Sequence, residues 1–411
     1  MANPNRGNLG VPPALNIVGA SARAAAFSAI RAGFLPRSAD IFGDADLLCT
    51  SRFEWLSAAY PGGLRNAMQK MANGPFLYTG GLENHPDLVD ELACLRPLWG
   101  NPGSCLRRAR DPFLLARVVS QAGAAPPELR GADNPPGSPE EWLRKPLSGS
   151  GGSAIEPAAR QVRPESSRPG DTSDAAHAAY YYQRRVKGES CSSVHVASTL
   201  KCRLLGVTRQ LVGTPWLHAK PFAWCGNVGP HSLPAPAKKT LEQVGIAASR
   251  AFGLRGLFGI DFLLDGITVR PVELNPRYTA STEILEHGLE LPALRLHADA
   301  FLEPGAGAVA EVAPEKGSEK KSAKKSGVLG KAVVYAPEAL VATTDLITFH
   351  QPDPYRFPSV ADVPAKGTKI VEGRPVITVF GRAETAAECE AALRSSAENI
   401  LRHFQRVGSG I

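Results

Sequence analysis

Four polar side chains stand out against an apolar background: Asp261, Glu273, Asn275 and Arg277, all within RGLFGIDFLLDGITVRPVELNPRYTAS, residues 255–281. A lone carboxylate is costly to bury, so two of them in one apolar stretch point to a shared cation. The donors are two carboxylates and an amide oxygen, which suits a hard divalent ion such as Mg2+ or Mn2+. Arg277 adds a planar cation for phosphate or carboxylate oxygens. The set suits a divalent ion bound to a nucleotide polyphosphate. The competing reading is an edge hairpin whose acids are solvated.

A hairpin must hold these residues. Runs Leu257–Leu264 and Ile267–Leu274 flank Asp265-Gly266, and Asp-Gly between apolar runs is a strong hairpin signal. A regular two-residue turn pairs Leu264 with Ile267 and Asp261 with Arg270. Side chains alternate along a strand, so Glu273 would then face away from Asp261. A one-residue bulge restores a common face. Pro271, with no N–H to donate, is a natural place for it. A shared metal therefore predicts an irregular hairpin.

A second group lies at EEWLRKPLSGSGGSAI. Trp142–Lys145 reads as a strand that delivers Lys145 to the loop Ser148–Ser153. Successive glycines let backbone N–H groups turn toward an anion at close range, and the lysine adds a point charge. A flexible Gly/Ser loop is the alternative. No Gly-Lys-Ser/Thr closes the loop, so it is not a Walker A motif.

GIDFLL…VELNPR, preceded by Lys-Pro and a Gly-rich loop, resembles the ATP-grasp superfamily, which includes biotin carboxylase and D-alanine–D-alanine ligase. The resemblance implies Mg2+ (or Mn2+) on Asp261, Glu273 and Asn275, with Arg277 contacting phosphate or substrate. It implies a phosphate lid made of Lys145, Gly149, Ser150, Gly151 and Gly152. It also implies an adenine hinge over Gln183–Gly188, with ATP contacts from Gln183, Arg185 and Val186 and a ribose contact from Glu189. Two departures stand out. Arg184 occupies a position where an acid is usual, and the usual lysine near the start of the 111–123 helix is missing, leaving Arg108 or Arg110 to substitute. The implied fold class is α/β: a small Rossmann-like parallel α/β domain (1–110), an α+β ATP-grasp core (111–302), a polar linker (303–328) and a small C-terminal α/β domain (329–411).

The remaining elements fit that order. ALNIVGA (14–20), the helix-like SARAAAFSAIRAG and a strand over 39–44 read as a β-α-β opening, but it lacks Gly-x-Gly-x-x-Gly, so an NAD site is improbable. PFLYT (75–79) is a strand that opens into Gly80–Asn84. Ligands sit at the carboxyl ends of such strands, which makes Glu83 and Asn84 candidate substrate contacts. Asp111 and Pro112 start a helix over 111–123. Residues 157–176 read as an insertion, Tyr180–Ala197 as strand, and Lys201–Val207 and Arg209–Val212 as two strands. Asn227 and His231 are candidate site residues. Leu241–Phe252, Ser281–His287 and Glu384–Phe404 read as helices.

Composition bounds the rest. The 411 residues allow two or three domains. The net charge of +7 has a contribution from EKGSEKKSAKK, which lacks apolar periodicity and reads as a solvated linker. No basic motif interleaved with aromatics indicates nucleic acid. The seven cysteines form no CxxC pair and read as reduced thiols. No apolar run approaches the roughly 20 residues that span a bilayer, and MANPNRGNLG has no signal region, so a cytoplasmic protein without a membrane segment is expected. The implied activity is an ATP-dependent ligase joining a small-molecule carboxylate to an amine through an acyl phosphate. Cofactor biosynthesis of the methanopterin or methanofuran type is the implied setting, and a homodimer is allowed. A biotin-carboxylase-like component and a non-catalytic nucleotide-binding scaffold are the alternatives.

Overall fold

The central feature is a twisted eight-stranded sheet. Its strand order is Thr268–Asn275, Gly256–Asp265, Glu189–Ala197, Cys202–Val212, Trp224–Gly229, Val328–Tyr335, Pro375–Ala383 and Val360–Ala361. The computed structural model describes residues 12–152, 154–159, 179–302, 327–348 and 350–406. Ser153 of the Gly-rich loop, most of the 157–176 insertion, nearly all of the 303–328 linker and the first eleven residues lie outside the described residues. The architecture is mixed α/β. The strand Val328–Tyr335 pairs antiparallel with Trp224–Gly229, so the chain after the linker continues the central sheet.

A four-stranded parallel sheet precedes it, in the order Arg52–Phe53, Leu35–Ala39, Ala14–Val18 and Phe76–Tyr78. Alanines on the helix Arg23–Arg31 let it lie close on this sheet. Leu15, Ile17, Ala25 and Ala29 then share one core with Val194, Val196, Leu257, Tyr278 and Leu285 of the central layer. The N-terminal sheet thereby packs against the layer that carries the hairpin. A smaller four-stranded sheet, ordered Leu129–Gly131, Tyr180–Arg184, Trp142–Pro146 and Glu156–Pro157, forms the roof over the site.

Several local expectations shift. The second strand is Leu35–Ala39, which leaves 40–44 as the loop after it. Tyr180–Ala197 is two strands broken at 185–188. Gly188 (φ +147°) makes the break, because a Cβ there would meet Leu263 Cβ and Leu264 O at 3.0 Å. Cys202–Val212 is one strand, with a register shift near Gly206 in place of a gap. The helix ending at Phe252 starts earlier, at Ala235. The last long helix stops at Ile400, and Phe404 opens a strand. Asp111 caps the Pro112–Gln121 helix as expected, accepting N–H bonds from Phe113 (2.9 Å) and Leu114 (3.1 Å). Neither Ser281 nor Thr282 caps its helix, since Ala280 occupies the cap position. All seven cysteines are free, and no helix among the described residues is long and apolar enough to cross a membrane.

Candidate functional site

The hairpin is irregular in the way a shared cation requires. Its turn is Gly266-Ile267, one residue further on than Asp265-Gly266, because Asp265 pairs with Thr268. Regular pairing continues to Phe262↔Pro271, a bulge follows, and Asp261 then stands directly opposite Glu273. Core packing imposes this bulge. Val269 and Leu274 both bury against the Ala235–Phe252 side, an odd spacing that a regular strand cannot accommodate. Phe258, Ile260 and Phe262 pack on that same side, which leaves Asp261 and Leu263 on the open face. Thr268–Asn275 is an edge strand, where Pro271 is tolerated.

The open face lines a cavity of about 580 Å3. Asp261, Glu273, Asn275 and Arg277 line it together with Lys145, Ser150, Gly151, Gly152, Gln183, Arg185, Val186, Glu83 and Asn227. Burial and the Glu273 charge push the Asp261 carboxyl up to about 6. Asn275 donates to Asp261 Oδ2 at 3.1 Å and accepts from Arg277 Nη2 at 3.0 Å. Arg277 also pairs with Glu83 Oε1 at 2.5 Å, packed over Gly80. Burial alone would raise Glu83, but the Arg277 charge overrides it and holds the carboxyl below its ordinary value. Arg277 therefore does not pair with Glu283 or Glu286 on the next helix. It is held at the end of the Phe76–Tyr78 strand, where the sheet rule places ligands.

The roof sheet brings in the lid. Lys145 Nζ donates to Gln183 Oε1 at 3.1 Å across the Trp142–Pro146 and Tyr180–Arg184 pair. Gly151 (φ +66°) and Gly152 (φ +73°) turn the chain back. Gly151 O accepts from Trp224 N at 2.8 Å, and Gly152 lies so close to Phe222 O that a Cβ would stand 2.2 Å from it. Gly149 lies in a smaller adjoining pocket, where its carbonyl accepts from Arg110 at 2.9 Å and Asn84 at 3.3 Å.

Some expected residues stand elsewhere. Asn84 braces the lid and does not line the cavity. Glu189 also lies off the cavity. Strand alternation turns its neighbours Ser190 and Ser192 inward, while Glu189 pairs with His231 Nε2 at 3.1 Å and Arg209 at 3.6 Å. His231 goes with it. Ser190 bonds Gln210 at 2.8 Å, and both line the cavity that Glu189 does not reach. Asn227 lines the cavity, but Thr208 (2.9 Å) and Trp224 (3.1 Å) occupy its amide. Arg184 points outward to Glu141 and Glu128, so its departure from the acid pattern does not alter the cavity. Of the two candidate substitutes for the missing lysine, Arg110 reaches the site, meeting Glu273 at 2.8 Å, whereas Arg108 binds Ala251 O.

A family model described as the ATP-grasp domain matches residues 109–281. No curated protein sequence matches the chain. Among solved structures, it resembles an L-amino acid ligase from Bacillus licheniformis at 13% identity and TM-score 0.64, over 97% of this chain and 99% of that one. It resembles an ATP complex of carboxyaminoimidazole ribonucleotide synthase from Aspergillus clavatus at 13% identity and TM-score 0.64, over 95% and 99%. It also resembles the biotin carboxylase domain of the Hydrogenobacter thermophilus 2-oxoglutarate carboxylase, solved with MgADP and bicarbonate, at 12% identity and TM-score 0.62, over 95% and 90%. Residues 109–281 are thus an ATP-grasp domain. The chain as a whole has the fold shared by ATP-grasp ligases and carboxylases.

Proposed function

We propose that the protein is an ATP-dependent ligase that joins a carboxylate to an amine. A carboxylate oxygen attacks the γ-phosphorus of ATP and ADP leaves. The amine nitrogen then attacks the acyl carbon, and phosphate leaves with the bond to carbon broken. What supports the reading above all is the bulged hairpin that sets Asp261 opposite Glu273 in a cavity roofed by Lys145 and its Gly-rich loop.

The residues fit a divalent ion. Asp261 and Glu273 are like charges side by side, Asp261 is pushed up to about 6 by burial and by that neighbour, and the donors are all oxygen. Asp261, Glu273 and Asn275 would hold Mg2+ or Mn2+, which supplies charge neutralisation for the polyphosphate when bound. Lys145 and the backbone of Gly149–Gly152 clamp phosphate. Gln183, Arg185 and Val186 line the base end, with Ser190 and Gln210 beside them. Arg277, oriented by Glu83 and Asn275, binds the oxygens of the transferring group. Glu83 acts through Arg277, and Asn84 through the lid.

The fold shared with a biotin carboxylase domain supports a second reading, a carboxylase component. One experiment separates the two: ADP release from the full chain, screened against a metabolite pool with and without bicarbonate, followed by mass analysis of products. The ligase reading expects ADP release that depends on an acid and an amine, with an amide product. Release driven by bicarbonate alone would replace it. The ligase reading also carries cofactor biosynthesis as a setting, a cytoplasmic location and a homodimer. Sedimentation tests the homodimer.

A further inference from the structure

The cavity continues past Arg277 to a second charged group at the meeting of the N-terminal sheet and the C-terminal strands. Arg23, Asp44, Lys331, Asp362 and Thr378 line this end. Among the described residues its charges do not balance: Asp40, Asp44, Asp46, Asp362 and Glu283 stand around Arg23 and Lys331, and Arg31, which also acts on Glu283, is paired with Glu286.

Three of the five carboxylates are fully engaged, and Asp362 is engaged on one side while its side chain stays 27% exposed. Asp40 accepts N–H bonds from Ala22 (2.8 Å), Phe42 (3.0 Å) and Gly43 (2.8 Å). Asp46 accepts from the backbone of Asp362 (2.9 Å) and Val363 (3.1 Å). Asp362 takes Arg23 Nε at 2.9 Å and Nη2 at 3.1 Å, plus the Thr378 hydroxyl. Glu283 takes Arg23 and, at 3.1 Å, Lys331.

Asp44 has none of this. It is 7% exposed, lines the cavity and accepts no hydrogen bond from any described residue. Its position makes that absence informative. It precedes the helix Ala45–Thr50, where an aspartate ordinarily accepts from the first-turn N–H groups, as Asp111 does elsewhere in this chain. Here the carboxylate faces the cavity and leaves the helix uncapped. A buried carboxylate without a partner is costly, and burial together with Asp362 and Asp46 raises its pKa well above the ordinary value.

We propose that Asp44, with Asp362 beside it, is the recognition site for a protonated primary amine carried by a substrate. The proposal rests on the ligase reading and deepens it. An ammonium offers three donors on a compact charge, which the free oxygens of Asp44 and the outer edge of Asp362 can accept. A divalent ion suits the site less, because it wants six or more oxygens and Asp40, Asp46 and Glu283 already use theirs on other donors. Held against a carboxylate, the amine stays protonated and is not the nucleophile. The substrate is therefore bifunctional, with the ammonium as handle and a second group that reacts. The loop bearing Asp44 follows the Leu35–Ala39 strand and Glu83 follows Phe76–Tyr78, with Ala14–Val18 between them. Two strand spacings separate these ends by about 10 Å, the reach of a small extended diamine or amino acid.

The test titrates the full chain by calorimetry with 1,4-diaminobutane and 4-aminobutanoate, against 1,4-butanediol and 4-hydroxybutanoate. Wild type should bind at least one amine at least tenfold more tightly than its hydroxyl counterpart, and Asp44→Asn should abolish the difference. Asp44→Ser reads the same contact should the first variant fold poorly. Equal affinity for amine and alcohol in wild type, or a preference that survives in Asp44→Asn and Asp44→Ser, overturns the proposal. So does Asp44-dependent binding of Mg2+ alone in place of the amines. MgATP affinity, measured on the same preparations without amine, reports the ligase reading separately. Its loss in wild type would remove that reading while the amine titration still stands on its own result.

Discussion

Asp261 and Glu273 are of interest because a bulge makes them neighbours. Replacing either by its isosteric amide removes a charge and leaves the shape. Asp261→Asn and Glu273→Gln should therefore keep the wild-type melting temperature within a few degrees and lower MgATP turnover by about 10²-fold or more. Turnover at saturating ATP and calorimetric melting on one preparation check this, and unchanged turnover in either variant rules out the shared cation. Arg277 has a separate role. Its guanidinium uses Nη2 for both Glu83 and Asn275 and Nη1 for Tyr278 O at 3.2 Å, a spread that a single lysine nitrogen cannot reproduce. Arg277→Lys should keep ATP affinity and lose the chemical step by about 10²-fold. If Arg277 serves only to neutralise buried Glu83, the variant will instead melt earlier and turn over normally per folded molecule.

At the scale of elements, the lid rather than the hairpin is the moving candidate. Its glycines make backbone contacts that no other residue permits: Gly152 has φ +73° and sits against Phe222 O. Gly152→Ala places a Cβ 2.2 Å from that oxygen, so the lid cannot dock as it does here. The expected result is at least a tenfold fall in turnover with little change in melting temperature, since the loop buries few apolar groups. A variant with normal turnover would mean that docking onto Phe222 and Trp224 is not part of the cycle.

At the scale of the molecule, the N-terminal sheet, the ATP-grasp core and the C-terminal strands meet at buried charges, and these should contribute to the pH profile of stability. Burial pushes Asp46 up to about 6, only partly offset by Arg23, and Asp40 and Asp44 are raised in the same direction. Such groups bind protons more readily folded than unfolded, so stability is gained as pH falls from 7 through about 6. Glu283 has the opposite sign. Burial would raise it, but Arg23 and Lys331 hold it well below the carboxylate range. Its contribution is present above its unfolded value of about 4.3 and is lost as pH falls below that. Burial also pushes His195, His287 and His297 down to about 3, 4 and 4, which costs stability as pH falls below their ordinary value, so the carboxylates are read by difference. Between pH 7 and about 5 the wild-type melting temperature without nucleotide should rise relative to that of Asp46→Asn, and a gap between the two that does not change over that range would contradict the assignment.

Local elements were legible in the sequence by itself. Asp-Gly between apolar runs, Glu-x-Asn-Pro-Arg, Lys-Pro before a Gly-rich loop and the Asp111-Pro112 helix start are all short-range signals, and each element formed. Even the bulge was implied, because two acids needing one face and a proline lacking an N–H left few alternatives. Tertiary structure alone decided which way residues point when spacing is ambiguous by one. Glu189 and Ser190 are adjacent, and only strand pairing shows that Ser190 faces the cavity. It also decided long-range partnerships. Arg277 meets Glu83, Arg110 meets Glu273, and Arg23 gathers Asp46, Glu283 and Asp362 from three distant segments. A charge's partner is set by where the chain returns in space, and no local preference encodes that return. Asp44 is the extreme case: a residue that reads as the end of a strand becomes a candidate ligand only because folding sets its carboxylate on the cavity with no hydrogen-bond donor among the described residues.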